Sequence, residues 1–588
     1  MKSFLKTLLA SILGVIIGFV LLFFIFLGVV GAMVAAGDHT VTIKPNSVLD
    51  LKFDRNIVDR ASKNPFEGIG LFSMRPVKSL GLNDILSNIR KAKDDDNIKG
   101  IYLDLNILSA GYATAEEIRA ALTDFKTSGK FIIAYSDIFS QKAYYLASVA
   151  DKVYLNPEGE LQLLGLRSEI LFYKKALDKL GIEPEIIRHG KFKSAVEPFM
   201  LEKMSPENRE QQLTYMGSIW NEVAKAIATD RKLTVDAINT MVNNITIRNG
   251  KSAVVNGLVD SLMYLDQVKN QLCKLSGVDK ESDLNLVSFD DYTKVAEPKG
   301  KKFHKDKIAV IYASGEIGMG EGDNSSIGAE GLSNAIADAR KDSSVKAIVL
   351  RVNSPGGSAL ASEIIWRELE LAKRVKPLIV SMGDVAASGG YYISAPADVI
   401  VANPTTITGS IGVFGLMFNV QKAMADKLGI TVDVARTHAH SDMLTMYRPL
   451  TAEERGVMQA GVEEVYHTFI TRVSDGRKMD IAKVDEIGGG RVWSGENAKS
   501  LGLVDEFGGL SDAIKVAAKK AGLDGYRIIE LPSQKEPFEQ FVEDFSSEAK
   551  VWLLKDELSG TFKQYTTIKN VLKNQGIEAR MPYDVELY

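Results

Sequence analysis

The turn around Ser388 is the first place in this sequence where a side chain has the surroundings of a nucleophile. The serine follows the apolar run Pro377–Val380 and several small residues, and Gly389 and Gly390 come directly after it. Small neighbours let a peptide backbone approach the hydroxyl, and the free N–H groups of a helix N-terminus stabilise developing negative charge. A tight packing turn has the same composition, so the serine needs a partner elsewhere in the chain.

Lys193, at the start of Lys193-Ser-Ala-Val-Glu-Pro-Phe199, is the candidate base. A serine hydroxyl is a weak nucleophile until a base takes its proton, and a lysine does this when burial lowers its pKa towards neutrality. The expected apolar walls of such a site are Phe192, Ala195, Val196 and Phe199. No His/Asp pair suited to a triad competes with the lysine for this role.

Acyl transfer also requires hydrogen-bond donors for the oxyanion. The backbone N–H of Gly389 is one natural donor, and either Gly356 or Gly357, in the turn after an apolar strand, is the other. Ser410 is a candidate to bind the lysine amine and hold it towards Ser388, although a serine in a turn is more often a local cap.

An internal duplication organises the chain. Ile98–Asn106 aligns with Val345–Asn353 at an offset of 247 residues, and the match continues to Gly257–Asp260 against Gly502–Asp505. A period this long indicates two copies of one domain and not a solenoid.

The two copies differ at the positions where chemistry would occur. Gln141 stands opposite Ser388, and the first copy also lacks both glycine turns. Lys193 stands opposite Ser441 of the second copy. The sequence therefore predicts that the second copy supplies the nucleophile and the first copy supplies the base.

Strands and helices alternate in both copies, which favours an α/β fold with a largely parallel sheet. The first strands are expected at Val41–Lys44 and Val48–Phe53. A chain of 588 residues exceeds the roughly 250–300 at which single cores stop growing. The predicted domains are a membrane anchor (1–40), a first repeat (41–297), a basic linker (298–307), a second repeat (308–525) and a C-terminal tail (526–588).

Composition argues against several kinds of partner. With 71 basic and 75 acidic residues, the chain has no excess of positive charge that would favour binding to nucleic acid. The single cysteine, Cys273, excludes an intramolecular disulfide and a multi-cysteine metal site. His438 and His440 form an isolated pair of the kind found in polar loops, and we expect neither a metal nor another cofactor.

The run Leu8–Leu27 is long and apolar enough to cross a bilayer. Val34–Ala36 resembles a cleavage site, but the apolar core of a cleavable signal peptide is usually shorter, so we expect an uncleaved anchor. Lys2 and Lys6 before the run and Asp38 after it predict a cytoplasmic N-terminus. Both repeats would then lie on the periplasmic side of a bacterial inner membrane.

Several ordered motifs resemble those of the long, duplicated form of the bacterial signal peptide peptidase, also called protease IV. The matching segments are Lys193–Phe199, Arg351–Gly357, Met382–Tyr392, Thr408–Gly412, Arg491–Gly495 and Gly502–Asp505. The resemblance implies a tandem duplication of a Clp protease/crotonase-like domain with repeated β-β-α units. It also implies a Ser388/Lys193 dyad with Ser410 orienting the lysine, a homotetramer, and substrates that are cleaved signal peptides and other apolar peptides.

Two other classes of function stay open at this point. A crotonase-like enzyme acting on acyl-CoA thioesters uses similar glycine turns, but it fits poorly with an extracytoplasmic domain and needs no serine and lysine divided between copies. A non-catalytic membrane-anchored scaffold would bind peptides in the same cleft. The leading prediction is an endopeptidase in which neutral Lys193 activates Ser388.

Overall fold

The computed structural model describes residues 41–62, 79–296, 304–534 and 576–581, with a few helical residues between 4 and 21. The predicted anchor at Leu8–Leu27 falls mostly outside these residues. Across the part of the chain that is described, no helix has the length and apolar character that a membrane span requires.

The first repeat alternates strands with helices. Its strands are β1 (Ser47–Lys52), β2 (Ile57–Val58), β3 (Leu80–Gly81), β4 (Ile98–Asp104), β5 (Phe131–Phe139), β6 (Lys152–Leu161), β7 (Glu183–Arg188), β8 (Ser261–Leu262) and β9 (Leu286–Ser288). Its helices are α1 (Leu82–Asp94), α2 (Tyr112–Lys126), α3 (Gln141–Ala147), α4 (Lys174–Leu180), α5 (Glu197–Met200), α6 (Pro206–Arg231), α7 (Val235–Asn243), α8 (Gly250–Val255), α9 (Leu265–Ser276) and α10 (Phe289–Thr293). Single 3₁₀ turns lie at Ser194–Val196 and Glu281–Asp283.

Six of these strands form one parallel sheet in the order β8-β6-β5-β4-β1-β9. Strand β4 is buried at five of its seven positions, as a central parallel strand must be when both faces are covered. Helix α9 packs on one face, and α1 and α2 pack on the other. The predicted α/β class is confirmed.

The second repeat has the same alternation. Its strands are β10 (Lys307–Ser314), β11 (Glu316–Gly318), β12 (Gly322–Asp323), β13 (Ser326–Gly328), β14 (Val345–Ser354), β15 (Gly356–Ser358), β16 (Leu378–Ala387), β17 (Val399–Ala402), β18 (Ile407–Gly409), β19 (Phe414–Asn419), β20 (Val492–Ser494), β21 (Glu506–Phe507) and β22 (Arg527–Leu531), and β23 (Gly576–Arg580) follows near the C-terminus. Its helices are α11 (Ala329–Lys341), α12 (Ala359–Lys373), α13 (Gly389–Ser394), α14 (Ala452–Arg477), α15 (Ile481–Ile487), α16 (Gly495–Ser500) and α17 (Leu510–Lys520), with a π-helical turn at Ala423–Lys427.

The second main sheet runs β20-β18-β16-β14-β10-β22, with β17 and β21 continuing from β16. Its strands β22-β10-β14-β16 repeat the arrangement of β9-β1-β4-β5 in the first repeat, including the late strand that returns to pair with the first one. The duplication inferred from the sequence is therefore present in the topology.

A third sheet joins the two repeats, in the order β12-β13-β11-β15-β23-β19-β7. Strand β7 of the first repeat pairs antiparallel with β19 of the second, and Arg188 lies opposite Phe414. This pairing carries the segment that follows β7 to the end of the second repeat's central strands.

Buried charges also join the repeats. Arg351 of β14 is fully buried, and its guanidinium lies 2.7 Å from a carboxylate oxygen of Asp59 and 2.7 Å from one of Glu117. Both acids belong to the first repeat. Removing one partner of such a buried pair costs about 3–5 kcal/mol, so the cluster fixes how the repeats dock.

Two sequence predictions differ from the structure in detail. Val41–Lys44 is not a strand; the chain turns at Asn46, whose φ is +62°, and pairing begins only at Ser47. At the other end, β22 lies just beyond the predicted boundary at residue 525 and forms the edge of the second main sheet.

Candidate active site

Ser388 lies between β16 and α13, at the end of a central strand of the second repeat. Its φ of +55° is in the left-handed region, which costs a non-glycine residue about 1–3 kcal/mol. The N–H of Ser388 donates to the carbonyl of Gly409 at 2.8 Å, which fixes the turn. Its side chain is fully buried and does not cap α13, so the hydroxyl is left to face the first repeat.

Lys193 follows β7 and enters the 3₁₀ turn at Ser194–Val196. Its Nζ lies 2.9 Å from Oγ of Ser388, within hydrogen-bonding distance. The same Nζ lies 3.1 Å from Oγ and 3.3 Å from the carbonyl oxygen of Ser410. The structure thus brings together all three side chains that the sequence analysis selected.

The surroundings of Lys193 favour its neutral form. The side chain is 0% exposed, and this burial lowers the pKa of the amine well below its ordinary value. The carboxylate of Glu578 opposes that shift only in part. A lysine in this state accepts a proton from a hydroxyl, which an ordinary ammonium cannot do.

Three of the four expected apolar walls lie in one cluster. Ala195 and Val196 pack with Phe414, Leu416 and Phe418 of β19, and Phe199 packs against the same cluster. Phe192 instead lies beneath the guanidinium of Arg491, 4.6 Å from ring centroid to carbon. The walls therefore come from both repeats.

Ser410 is held rigidly beside the lysine. Its φ is +50°, and its N–H donates to the carbonyl of Arg491 at 2.7 Å. The side chain is fully buried and has Nζ of Lys193 as a partner. This arrangement uses the hydroxyl to orient the amine and not to cap a turn.

The glycine turns meet beside Ser388. A Cβ on Gly356 would lie 2.7 Å from the backbone nitrogen of Gly389, so only glycine permits this approach. Gly356 and Gly357 have φ of +100° and +153°. The N–H of Gly356 donates to Oγ of Ser354 at 3.2 Å.

Residues 124–279 and 370–524 match the model of peptidase family S49, once in each repeat. The chain belongs to this family. It is 39% identical over 528 residues to "Protease 4" of Salmonella typhi, covering 86% of this chain and 84% of that protein. It is 36% identical over 454 residues to the chloroplastic "Serine protease SPPA" of Arabidopsis thaliana, covering 76% and 66% of the two chains.

A solved ClpP1 mutant from Listeria monocytogenes aligns with 35% of this chain and 94% of its own, at 15% identity and a TM-score of 0.24. The family match and the relatives establish that the chain is a serine peptidase.

One residue that the sequence analysis missed supports the lysine of this S49 peptidase. Gln211 of α6 is buried, and its Nε2 donates to the carbonyl of Phe192 at 3.1 Å and to Oγ of Ser194 at 2.8 Å. Its Oε1 accepts from the N–H of Val492 at 3.1 Å. Gln211 therefore holds both neighbours of Lys193 and ties them to the second repeat.

The glycine run Gly488–Gly490 provides a second support. A Cβ on Gly490 would lie 2.6 Å from the Cα of Lys193, so the two backbones pack without a side chain between them. The N–H of Gly490 donates to the carbonyl of Ile411 at 2.7 Å. Three consecutive glycines before the Arg491–Gly495 motif were a readable signal of close backbone approach.

Proposed function

We propose that this S49 peptidase is a membrane-anchored endopeptidase that degrades cleaved signal peptides and other apolar peptides through a Ser388/Lys193 dyad. The observation that carries the mechanism is the 2.9 Å separation between Nζ of Lys193 and Oγ of Ser388, with both side chains fully buried. The lowered pKa of Lys193 supplies the protonation state that a base requires.

In the proposed reaction, Lys193 takes the hydroxyl proton as Oγ of Ser388 attacks the scissile carbonyl. The N–H of Gly389 and that of Gly356 or Gly357 bind the oxyanion. Lys193 then protonates the leaving amine, which leaves the acyl group on Ser388. Water, deprotonated by the same lysine, hydrolyses this ester and restores the enzyme.

The surroundings of the dyad support a peptide substrate in an extended conformation. Strands β15 and β19 flank the site, and a peptide lying between them would bind by adding a strand. A cavity of about 750 Å³ adjoins β15. Its lining includes the apolar side chains of Ile317, Met319, Leu360 and Val465, which favour apolar substrate residues, together with the carboxyl groups of Glu316, Glu363, Glu464 and Glu578.

The anchor and its position belong to the same proposal. Leu8–Leu27 would hold both repeats at the periplasmic face of the inner membrane, where peptides released from the bilayer are concentrated. A protease-protection assay on spheroplasts tests this placement, since added protease should degrade both repeats without lysis. Protection of the repeats until the cells are lysed would contradict it.

We also propose a homotetramer. The family resemblance implies four chains, and five apolar side chains that are 45–68% exposed are the candidates for the contact between them; they are Leu428, Ile430, Val432, Val434 and Leu444. Light scattering of the detergent-solubilised protein should give four chains per particle, and Val432→Lys should reduce that number. A monomeric wild type would contradict the assembly.

A serine-reactive fluorophosphonate probe tests the dyad directly. We expect labelling at Ser388, located by peptide mass spectrometry, and loss of labelling in Lys193→Met without loss of the cooperative unfolding transition. An acyl-CoA enzyme or a peptide-binding scaffold has no need for such a dependence. Absence of labelling, or labelling that persists without Lys193, would overturn the proposal.

A further inference from the structure

The loop from His189 to Lys193 follows β7 and carries the lysine out of the first repeat to the serine of the second. The place of the amine therefore depends on how the second repeat holds this loop. One side chain of the second repeat, Tyr466 of α14, is connected to both ends of it. Its ring contacts the beginning of the loop, and its hydroxyl reaches the end.

The ring of Tyr466 stacks on the imidazole of His189. The two centroids are 3.7 Å apart and the planes are inclined by 19°. Nδ1 of His189 also lies 2.6 Å from a carboxylate oxygen of Glu463, another residue of α14. Tyr466 is only 3% exposed, so its ring is enclosed and gives the loop a fixed surface to pack on.

The hydroxyl of Tyr466 acts on the end of the loop through the glycine run. It donates to Oδ1 of Asp485 at 2.6 Å and accepts from the N–H of Gly489 at 3.1 Å. The carbonyl of Gly489 in turn accepts from the N–H of Phe192 at 3.2 Å. Phe192 directly precedes Lys193, so two hydrogen bonds and one peptide unit connect the hydroxyl to the backbone of the lysine.

The first repeat has a tryptophan at the same position and lacks this connection. Trp220 is the fifteenth residue of α6, as Tyr466 is of α14, and both helices have 26 residues. Nε1 of Trp220 donates at 2.8 Å to Asn239, which is the fifth residue of its helix, as Asp485 is. An indole N–H only donates, whereas a phenol hydroxyl donates and accepts. The copy that carries the serine thus keeps the shared hydrogen bond and adds the acceptor that Gly489 uses.

We propose that Tyr466 is a positioning residue, whose hydroxyl acts through Gly489 to set the place of Lys193 against Ser388. Proton transfer requires that Nζ and Oγ stay within hydrogen-bonding reach, and they are 2.9 Å apart. A small displacement of the loop is therefore enough to slow the reaction. This inference rests on the proposed function, because it takes Lys193 as the base.

Tyr466→Phe tests the hydroxyl, because it keeps the stacked ring and removes one oxygen. We expect kcat for a fluorogenic peptide, expressed per site titrated with fluorophosphonate, to fall by about tenfold, as for the loss of one hydrogen bond. KM should stay within about twofold of wild type, because Tyr466 does not line the cavity beside β15. A kcat per titrated site equal to that of the wild type would overturn the proposal.

Trp220→Phe is the matched control in the first repeat. It removes the donor to Asn239, just as Tyr466→Phe removes the donor to Asp485, but it leaves the lysine loop untouched. Both variants should unfold at a lower urea concentration than the wild type, and only Tyr466→Phe should lose turnover per titrated site. Equal losses of turnover would trace the effect of Tyr466 to general stability and overturn the assignment.

The pH profile gives a readout that a purely structural role would not change. A loosened loop admits water to Lys193, so its pKa recovers part of what burial removes. The acid limb of kcat/KM should therefore move to higher pH in Tyr466→Phe. Four other titratable groups face this chain of contacts and are present in both proteins; they are His189, Glu463, Asp485 and Glu578.

His189→Phe separates the imidazole from the lysine as the source of that limb. It keeps an aromatic ring beside Tyr466 and cannot titrate, so its acid limb should lie where that of the wild type lies. A limb that stays in place in Tyr466→Phe, or that moves equally far in His189→Phe, would overturn the proposal.

Fluorophosphonate labelling of the same preparations separates this failure from failure of the proposed function. If Ser388 labels only when Lys193 is present, but Tyr466→Phe turns over like the wild type, the dyad is retained and the positioning role is lost. If the wild type does not label at Ser388, both are lost.

Discussion

The two repeats place a serine before the same helix and use it in opposite ways. In the first repeat, Ser140 precedes α3 with an ordinary φ of −65°, and its hydroxyl accepts a hydrogen bond from the N–H of Ala143. In the second repeat, Ser388 precedes α13 with a φ of +55° and makes no such cap. The relaxed turn binds its own helix, and the strained turn presents its hydroxyl to Lys193.

Gln141 shows what the first repeat does with the position aligned to Ser388. Its Nε2 donates to the hydroxyl of Tyr112 and the carbonyl of Gly165, both at 3.0 Å. Its Oε1 accepts from the N–H groups of Leu164 and Gly165, both at 2.9 Å. Here the side chain fastens a neighbouring loop, so one topology serves stability in one copy and chemistry in the other.

Replacing Ser388 by the glutamine of the first repeat tests this contrast most severely. Ser388→Gln gives the second repeat the residue of the first and removes the nucleophile, so kcat for peptide hydrolysis should fall by about 10⁴-fold or more. A fluorogenic peptide assay measures the loss. Residual activity above about one per cent of wild type would mean that another group attacks the substrate.

Gln141→Ala is the matched control in the first repeat. It should leave kcat unchanged and lower the free energy of unfolding by about 1–3 kcal/mol, because buried backbone groups lose their partner. Urea denaturation measures the free energy of unfolding. A large loss of activity in this variant would place the first repeat's turn in the reaction as well.

The pH profile tests the base. Lys193 must be neutral to act, so kcat/KM should fall about tenfold per unit as the pH drops below its lowered pKa, which lies well under 10.5. In the unfolded chain, Lys193 keeps its proton up to the ordinary pKa of lysine, whereas in the folded chain it loses the proton at a lower pH. Between these two pKa values the unfolded state binds more protons than the folded state, so the free energy of unfolding rises with pH. Lys193→Met should therefore be about 10³-fold less active than the wild type and more stable at neutral pH. Its free energy of unfolding should also lack the rise with pH that Lys193 contributes. If the free energy of unfolding depends on pH in the same way in Lys193→Met and in the wild type, the lysine is charged in the folded protein.

Among the three changes at the candidate site, Ser388→Gln, Lys193→Met and Ser410→Ala, the last should have the smallest effect on activity. It removes one hydrogen bond to Nζ of Lys193 and leaves the carbonyl at the same residue in place. We expect kcat to fall by about tenfold, which corresponds to one ordinary hydrogen bond, with KM little changed. A loss as large as that of Ser388→Gln would make Ser410 part of the proton transfer itself.

The sequence was sufficient to predict the duplication and to select Ser388 and Lys193, because two aligned copies reveal a chemical difference without any coordinates. Ser410 was selected from its place in a turn and from the resemblance to the family. The support of Lys193 by Gln211 was not predictable in the same way. A glutamine within a long helix gives no sign of which neighbours it faces, and those neighbours lie on a separate loop and on the other repeat.

The C-terminal strand escaped sequence analysis for a related reason. Gly576–Arg580 is short and mixed in polarity, and its pairing partners β15 and β19 lie more than 150 positions earlier in the chain. The cluster of Arg351, Asp59 and Glu117 was not predictable from the sequence either. A charged residue in a strand is ordinarily exposed, and this one is buried only because the second repeat packs against the first.

The division of the site between the repeats has a consequence for the time at which the enzyme becomes active. Lys193 and Ser388 are 195 positions apart. At a synthesis rate of about 5–20 residues per second, about 10–40 seconds pass between the emergence of the two residues. An unfinished chain carries the proposed base without the proposed nucleophile, so other proteins are not exposed to a working protease until both repeats have been made and have docked.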